Sequence, residues 1–179
     1  MTTLHDDRTV RNVSDTDVFR VLFVCHGNVC RSPLAEVVLR AKIPDTLARD
    51  VEIGSAGLET FTGLSASVEA ELAARMKGYD LSRHRSRQAS ESVIENSDLI
   101  LCMEPGQTRY LQEKYPHMAA RIHTFQAFCA GEDVAVDDPY QQDVTVYIRT
   151  LTKITAGINR CKTKIWDMVR HKKRKRMSD

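Results

Sequence analysis

The sequence predicts an α/β protein, a single doubly wound domain whose four-stranded parallel sheet is flanked by helices. Three observations lead there. Short apolar runs rich in β-branched and aromatic residues recur along the chain, and each is followed by turn residues and then by a stretch with helical spacing. The length of 179 residues suits one domain with a sizeable core. The hydrophobic share of 42% is too high for a disordered chain, and no apolar stretch approaches the length that crosses a bilayer.

Phe19, Val21, Leu22, Phe23 and Val24 form the first run, continuous enough for a strand buried on both faces. His26, Gly27 and Asn28 supply the turn after it. Ser32-Pro33 then opens a helix carrying Leu34, Ala35, Val38 and Leu39, with proline in its first turn and Glu36 near its positive end. Residues 51–55 read as a second strand, 54–57 as a loop, and 67–77 as a helix that Gly78 stops. Residues 98–103 (DLILCM) are a third buried strand, 105–115 the helix after it, closed by Pro116, and 121–125 a fourth strand. From Val144 to Arg170 apolar residues recur at helical spacing, which predicts a long final helix with Gly157 as its weak point.

The flanks differ from this pattern. Residues 1–17 lack an apolar period and are expected to form a flexible extension, leaving a domain over 18–169 and a basic solvated tail over 170–179. The formal charge of +2 hides an uneven distribution, since residues 1–169 hold 20 cations against 23 anions while six cations crowd into 170–176. The domain itself is therefore not expected to bind nucleic acid. The N-terminus lacks the charged-then-apolar order of a secretory signal, and the five cysteines form no CxxC pair, so a cytoplasmic protein without disulfide framework, metal or membrane insertion is expected.

The chemistry concentrates after the first strand, where an open parallel sheet binds its ligands. The segment Cys25-His26-Gly27-Asn28-Val29-Cys30-Arg31-Ser32 places a cysteine at a strand end, six residues before an arginine at a helix start. A chain of that spacing can wrap a tetrahedral oxyanion: glycine allows the tight turn, backbone N–H groups point inward, and the helix N-terminus adds positive charge. The planar Arg31 guanidinium can hold two phosphate oxygens together. The same surroundings favour a Cys25 thiolate, to which Ser32 can donate a hydrogen bond.

The run VLFVCHGNVCRSPLAE resembles the phosphate-binding loop of the low-molecular-weight protein tyrosine phosphatases, with its pattern of Cys, five residues, Arg, then Ser or Thr. GSAGL (54–58), GYDLSRHRSRQ (78–88), DLILCMEP (98–105) and DDPY (137–140) resemble family segments in family order, and the resemblance covers about residues 19–166. Within the family the chain looks most like bacterial members paired with tyrosine kinases of capsule or exopolysaccharide export. The resemblance implies Cys25 as nucleophile, Arg31 as phosphate ligand and Asp138, the aspartate before Pro139, as general acid, with no cofactor. His26, Gly27, Asn28, Val29, Cys30 and Ser32 are expected to line the phosphate site and Phe61 and Tyr140 to wall the entrance, and the resemblance implies that Ser55 and His84 support the loop, His84 through Asn28 and Ser55. Val29 stands where relatives that remove phosphate from arginine carry threonine, so phosphotyrosine is favoured. The Cys25–Cys30 pair could close a protective disulfide on oxidation.

Phosphotyrosine proteins are the expected partners, a bacterial tyrosine kinase among them, and a monomer is favoured. Three rivals share parts of this reading: a thioredoxin-coupled arsenate reductase, for which no relay cysteine pair is visible in the sequence; a protein arginine phosphatase; and a phosphate-binding module without catalysis. Retention of Cys25, Arg31 and Asp138 together speaks against the last.

Overall fold

The computed structural model of the chain describes residues 18–178. Four parallel strands, β1 (Phe19–Cys25), β2 (Val51–Gly57), β3 (Leu99–Cys102) and β4 (Ile122–Thr124), form one sheet in the order β2-β1-β3-β4. Six α-helices connect and cover them: α1 (Arg31–Arg40), α2 (Val68–Met76), α3 (Glu91–Glu95), α4 (Pro105–Lys114), α5 (Phe125–Ala130) and α6 (Val144–Ser178). The predicted doubly wound sheet is present. The chain leaves β1 for β2 on one side and returns for β3 on the other, so the loop after β1 lies at the switch point where such sheets open a crevice.

The continuous apolar run of β1 is explained by its two covered faces. Val21 and Phe23 join a core with α1, α2, α5 and α6, whereas Leu22 and Val24 join a second core with α3 and α4. The long apolar stripe of α6 supplies Tyr147, Leu151, Ile154, Ile158 and Ile165 to the first of these, all essentially inaccessible to solvent.

Several boundaries differ from the sequence reading. β2 runs two residues further, through Ala56 and Gly57, because Leu58 N–H donates to Cys25 O and Glu59 N–H to His26 O, which keeps the chain parallel to the end of β1. The short helices α3 and α5 were not anticipated. The helix expected to end at 170 continues through Ser178, so residues 170–178 are helical and not a frayed tail. Lys172 binds Asp98 at 2.8 Å and Lys173 binds Asp50 at 2.7 Å, and these pairs pin a segment free of glycine and proline to the end of the sheet. The extension expected over 1–17 lies outside the described residues.

Gly157 is a point of close approach and not a weakness. A Cβ there would lie 2.7 Å from Phe125 Cζ, a ring fully buried against Phe23. Cys129 of α5 and Cys161 of α6 form a disulfide, which corrects the expectation of a chain without disulfides.

Candidate active site

The loop from Cys25 to Arg31 closes into a cup between the end of β1 and the start of α1. Cys25 lies at its floor, 2% exposed, and its Sγ accepts from Asn28 N–H at 3.3 Å and contacts Ser32 Oγ at 3.0 Å. Asn28, not Gly27, takes the left-handed conformation that turns the loop, with φ of 53°. Asparagine tolerates that region because its short amide can bond locally, and here the whole side chain is employed. Nδ2 donates to Ser32 Oγ and to Ser55 Oγ, both at 2.9 Å, and Oδ1 accepts from Arg87 N–H at 2.9 Å. With its lone pair occupied by Asn28, the Ser32 hydroxyl has its own proton to give to Cys25.

Ser55 and His84 each hydrogen-bond to Asn28 of the loop. Ser55 Oγ donates to Glu36 Oε2 at 2.5 Å, and Glu36 is in turn held by Arg40 at 2.6 Å. His84 Nε2 donates to Asn28 O at 2.7 Å. Burial pushes the His84 pKa down, a shift that the bond to Asn28 and the charge of Glu36 only partly oppose. Gly57 lets β2 pass beside the loop, since a Cβ there would sit 2.7 Å from His26 O and 3.0 Å from Asn28 N.

Arg31 is the first residue of α1, its side chain 3% exposed. Nη1 donates to Glu104 Oε1 at 2.6 Å and to Val136 O at 3.1 Å, Nη2 donates to Asp138 Oδ2 at 2.6 Å, and Nε is buried without a protein partner. A buried donor left open costs free energy, and its satisfaction by an incoming anion recovers it. Gln107 Nε2 fixes Glu104 with a 2.9 Å bond to the same oxygen. The sequence analysis gives no site role to Glu104, Gln107, Glu36 or Arg87, and Glu36 is read there only as an acid near the positive end of its helix. Only the DLILCMEP segment hinted at Glu104, by placing a carboxylate just past a strand's C-terminal end.

Asp138 faces the cup, whereas its neighbour Asp137 turns outward to Lys153 at 3.0 Å, so the two adjacent carboxylates have separate settings. Cys25, His26, Gly27, Val29, Cys30, Arg31, Asp138, Tyr140 and Phe61 line one cleft of about 320 Å³. Phe61 and Tyr140 stand on its rim, 83% and 57% exposed, and neither belongs to the core. His26 is also on the rim, 4.0 Å from Glu59.

Cys30 behaves differently from Cys25. Its thiol is hydrogen-bonded to Tyr147 Oη at 3.3 Å and lies 3.6 Å from Ser67 Oγ, and burial pushes its pKa up. Both cysteines of the loop are free thiols. Cys102 is buried behind the loop, its pKa pushed up to about 12 by desolvation.

Residues 20–174 match the family described as low molecular weight phosphotyrosine protein phosphatase. The chain is 32% identical over 139 residues to a probable low molecular weight protein-tyrosine-phosphatase, EpsP, from Ralstonia solanacearum, covering 78% of this chain and 90% of that one. Among solved structures it resembles the low molecular weight protein tyrosine phosphatase from T. tengcongensis (37% identity, TM-score 0.75, 82% of this chain and 99% of that one). It also resembles the YwlE arginine phosphatase from Geobacillus stearothermophilus (32% identity, TM-score 0.77, 84% and 94%). With its cysteine-floored cup, buried arginine and facing aspartate, the chain belongs to the low molecular weight phosphotyrosine protein phosphatase family.

Proposed function

We propose that this protein hydrolyses phosphotyrosine in proteins by a two-step reaction through a cysteinyl-phosphate. The Cys25 thiolate attacks phosphorus in line, the bond to the tyrosyl oxygen breaks, and Asp138 gives that oxygen its proton. Asp138, now ionised, takes a proton from water as the water attacks phosphorus; the S–P bond breaks, and phosphate and the thiolate are released. Loop N–H groups and the open Arg31 Nε hold the equatorial oxygens throughout, the contribution from which most of the acceleration comes. Ser32 donates to the departing sulfur.

The observation that carries this reading is the convergence of Cys25, Arg31 and Asp138 on one cleft with aromatic walls. Phe61 and Tyr140 flank the entrance as two faces of a slot for an aryl ring. The Asp138–Arg31 ion pair must open as phosphate enters: the anion takes Arg31, and Asp138, freed of that cation, takes up a proton from solvent and stands as the acid beside the leaving oxygen.

A second reading, phosphoarginine hydrolysis, is favoured by the likeness to the Geobacillus enzyme. Val29 in the cleft wall opposes it, because a valine offers no hydroxyl to a guanidinium. The physiological setting proposed is the cytoplasm, with a monomer acting on phosphotyrosine proteins that include a bacterial tyrosine kinase.

The test is hydrolysis of p-nitrophenyl phosphate, a phosphotyrosine peptide and a phosphoarginine peptide by wild type, Cys25→Ser and Asp138→Ala. Cys25→Ser should abolish turnover, and Asp138→Ala should lower kcat by about 10²- to 10⁴-fold. The phosphotyrosine peptide should be preferred. Preference for phosphoarginine would overturn the substrate assignment, and full activity of Cys25→Ser would overturn the mechanism.

A further inference from the structure

The end of the molecule opposite the cup is strongly basic, and nothing in the proposed reaction uses it. Around a broad, shallow basin of about 830 Å³ stand Arg121, Lys164, His171, Arg174 and Lys175, with Phe19 and Met168 beneath them and one exposed acid, Asp167, which Arg170 holds at 2.9 Å. Arg121, Lys164, His171, Arg174 and Lys175 are all exposed. The basin lies at the sheet's N-terminal edge: Lys172 crosses it to Asp98 and to Val18 O at 3.0 Å, and Lys173 reaches Asp50, the residues that precede β3, β1 and β2. Those anchors hold α6 as a helix to its last turns, so the cationic cluster is preorganised and loses little freedom on binding.

We infer that this basic end is a docking surface for an anionic lipid bilayer. Three features select an extended anionic plane over a compact partner. The cations spread across an open basin instead of lining a cleft that would grip one peptide. Residues 18–169 are close to balanced, with 18 cations against 19 anions, whereas 170–176 hold six cations and no anion, so the excess positive charge gathers at the end of α6, and an extended negative surface attracts that end. The apolar stripe of α6 is committed to the core, and no helix among the described residues is long and apolar enough to cross a membrane, so attachment is electrostatic and superficial. At about 3.3 Å per residue, the seven residues of β1 set the cup roughly 20 Å from the basin, facing away from the bilayer. The surface is independent of which phosphoester the cup cleaves.

The experiment is co-sedimentation of the full chain with large vesicles of phosphatidylcholine alone or with 30% (about one lipid in three) phosphatidylglycerol. The variants are Arg174→Gln/Lys175→Gln and, for an equal charge change at exposed positions around the C-terminal end of α2, Arg75→Gln/Lys77→Gln. Wild type should bind the anionic vesicles and not the neutral ones, and should be released by 0.5 M salt, roughly where the Debye length falls to a few ångström. The Arg174/Lys175 pair should weaken binding about 30-fold, at about fivefold per charge (about 1 kcal/mol each), with solution hydrolysis of p-nitrophenyl phosphate unchanged. Equal loss in the α2 variant would reduce the effect to net charge and overturn the proposal. So would binding to neutral vesicles, absence of vesicle binding, or tighter variant-sensitive binding to a DNA duplex than to the anionic vesicles.

Discussion

Arg31 has three demands on it, and the structure divides them among its nitrogens. Nη1 is committed to Glu104 and to Val136 O, which fixes the guanidinium plane; Nη2 holds Asp138, and Nε has no protein partner. A planar donor aimed at phosphate is useful only if its orientation is set before substrate arrives. Glu104→Gln keeps size and one acceptor but removes the charge, and a hydrogen bond to a charged group contributes about 1.5–3 kcal/mol. The variant is expected to lose about ten- to a hundredfold in kcat/KM, with the affinity for vanadate or phosphate falling by a similar factor and the kcat pH profile keeping its shape. A change confined to thermal stability would show that Glu104 only fills space. The cup was legible in the sequence because its residues are contiguous: a cysteine, a turn, an arginine and a helix start declare themselves within eight positions. Glu104 was not, because its role depends on β3 lying beside β1, a relation no local spacing encodes.

Local signals served the elements unevenly. The strands were legible from their short apolar runs, and α2 from the helical spacing of Val68, Leu72, Ala73 and Met76 and the stop at Gly78. The five residues of α3 and six of α5 are too short to show a period, and tertiary contacts hold them. The last turns of α6 carry no apolar period either; their partners Asp50 and Asp98 lie on other elements. Gly157 shows the same limit in a single position. Propensity favours alanine over glycine in a helix interior by about 1 kcal/mol, yet the added methyl would meet Phe125 Cζ and Cε1 at 2.7 and 2.8 Å. That ring is fully buried and set edge-on to Phe23, 6.2 Å between centroids, so it has nowhere to retreat. Overpacking of a filled core costs about 1–3 kcal/mol. Gly157→Ala is therefore expected to lower the urea midpoint, and a raised midpoint would mean that Phe125 repacks freely.

At the scale of the whole molecule, the Cys129–Cys161 disulfide joins the two elements that bracket the Asp138 segment, α5 before it and α6 after it. The enclosed loop therefore contains Gly131, Val136, Asp138 and the first half of α6. In the chain-entropy account, a cross-link at a separation of 32 residues restricts the unfolded chain by about 3–4 kcal/mol. The cup does not depend on it in the same way. Val136 N–H bonds Met103 O and Arg31 binds Val136 O and Asp138, so the segment is tied to the sheet by contacts that survive reduction. Dithiothreitol, and separately Cys129→Ser/Cys161→Ser, should lower the unfolding midpoint while leaving kcat on p-nitrophenyl phosphate within about twofold, since the supporting hydrogen bonds remain. Thiol titration of the unreduced, denatured chain should find three reactive thiols, those of Cys25, Cys30 and Cys102. Five would mean that the pair is open in the isolated protein, as a reducing compartment would keep it, and the stabilisation would then be absent. A fall in kcat parallel to the fall in stability would instead place the cross-link in control of the Asp138 segment.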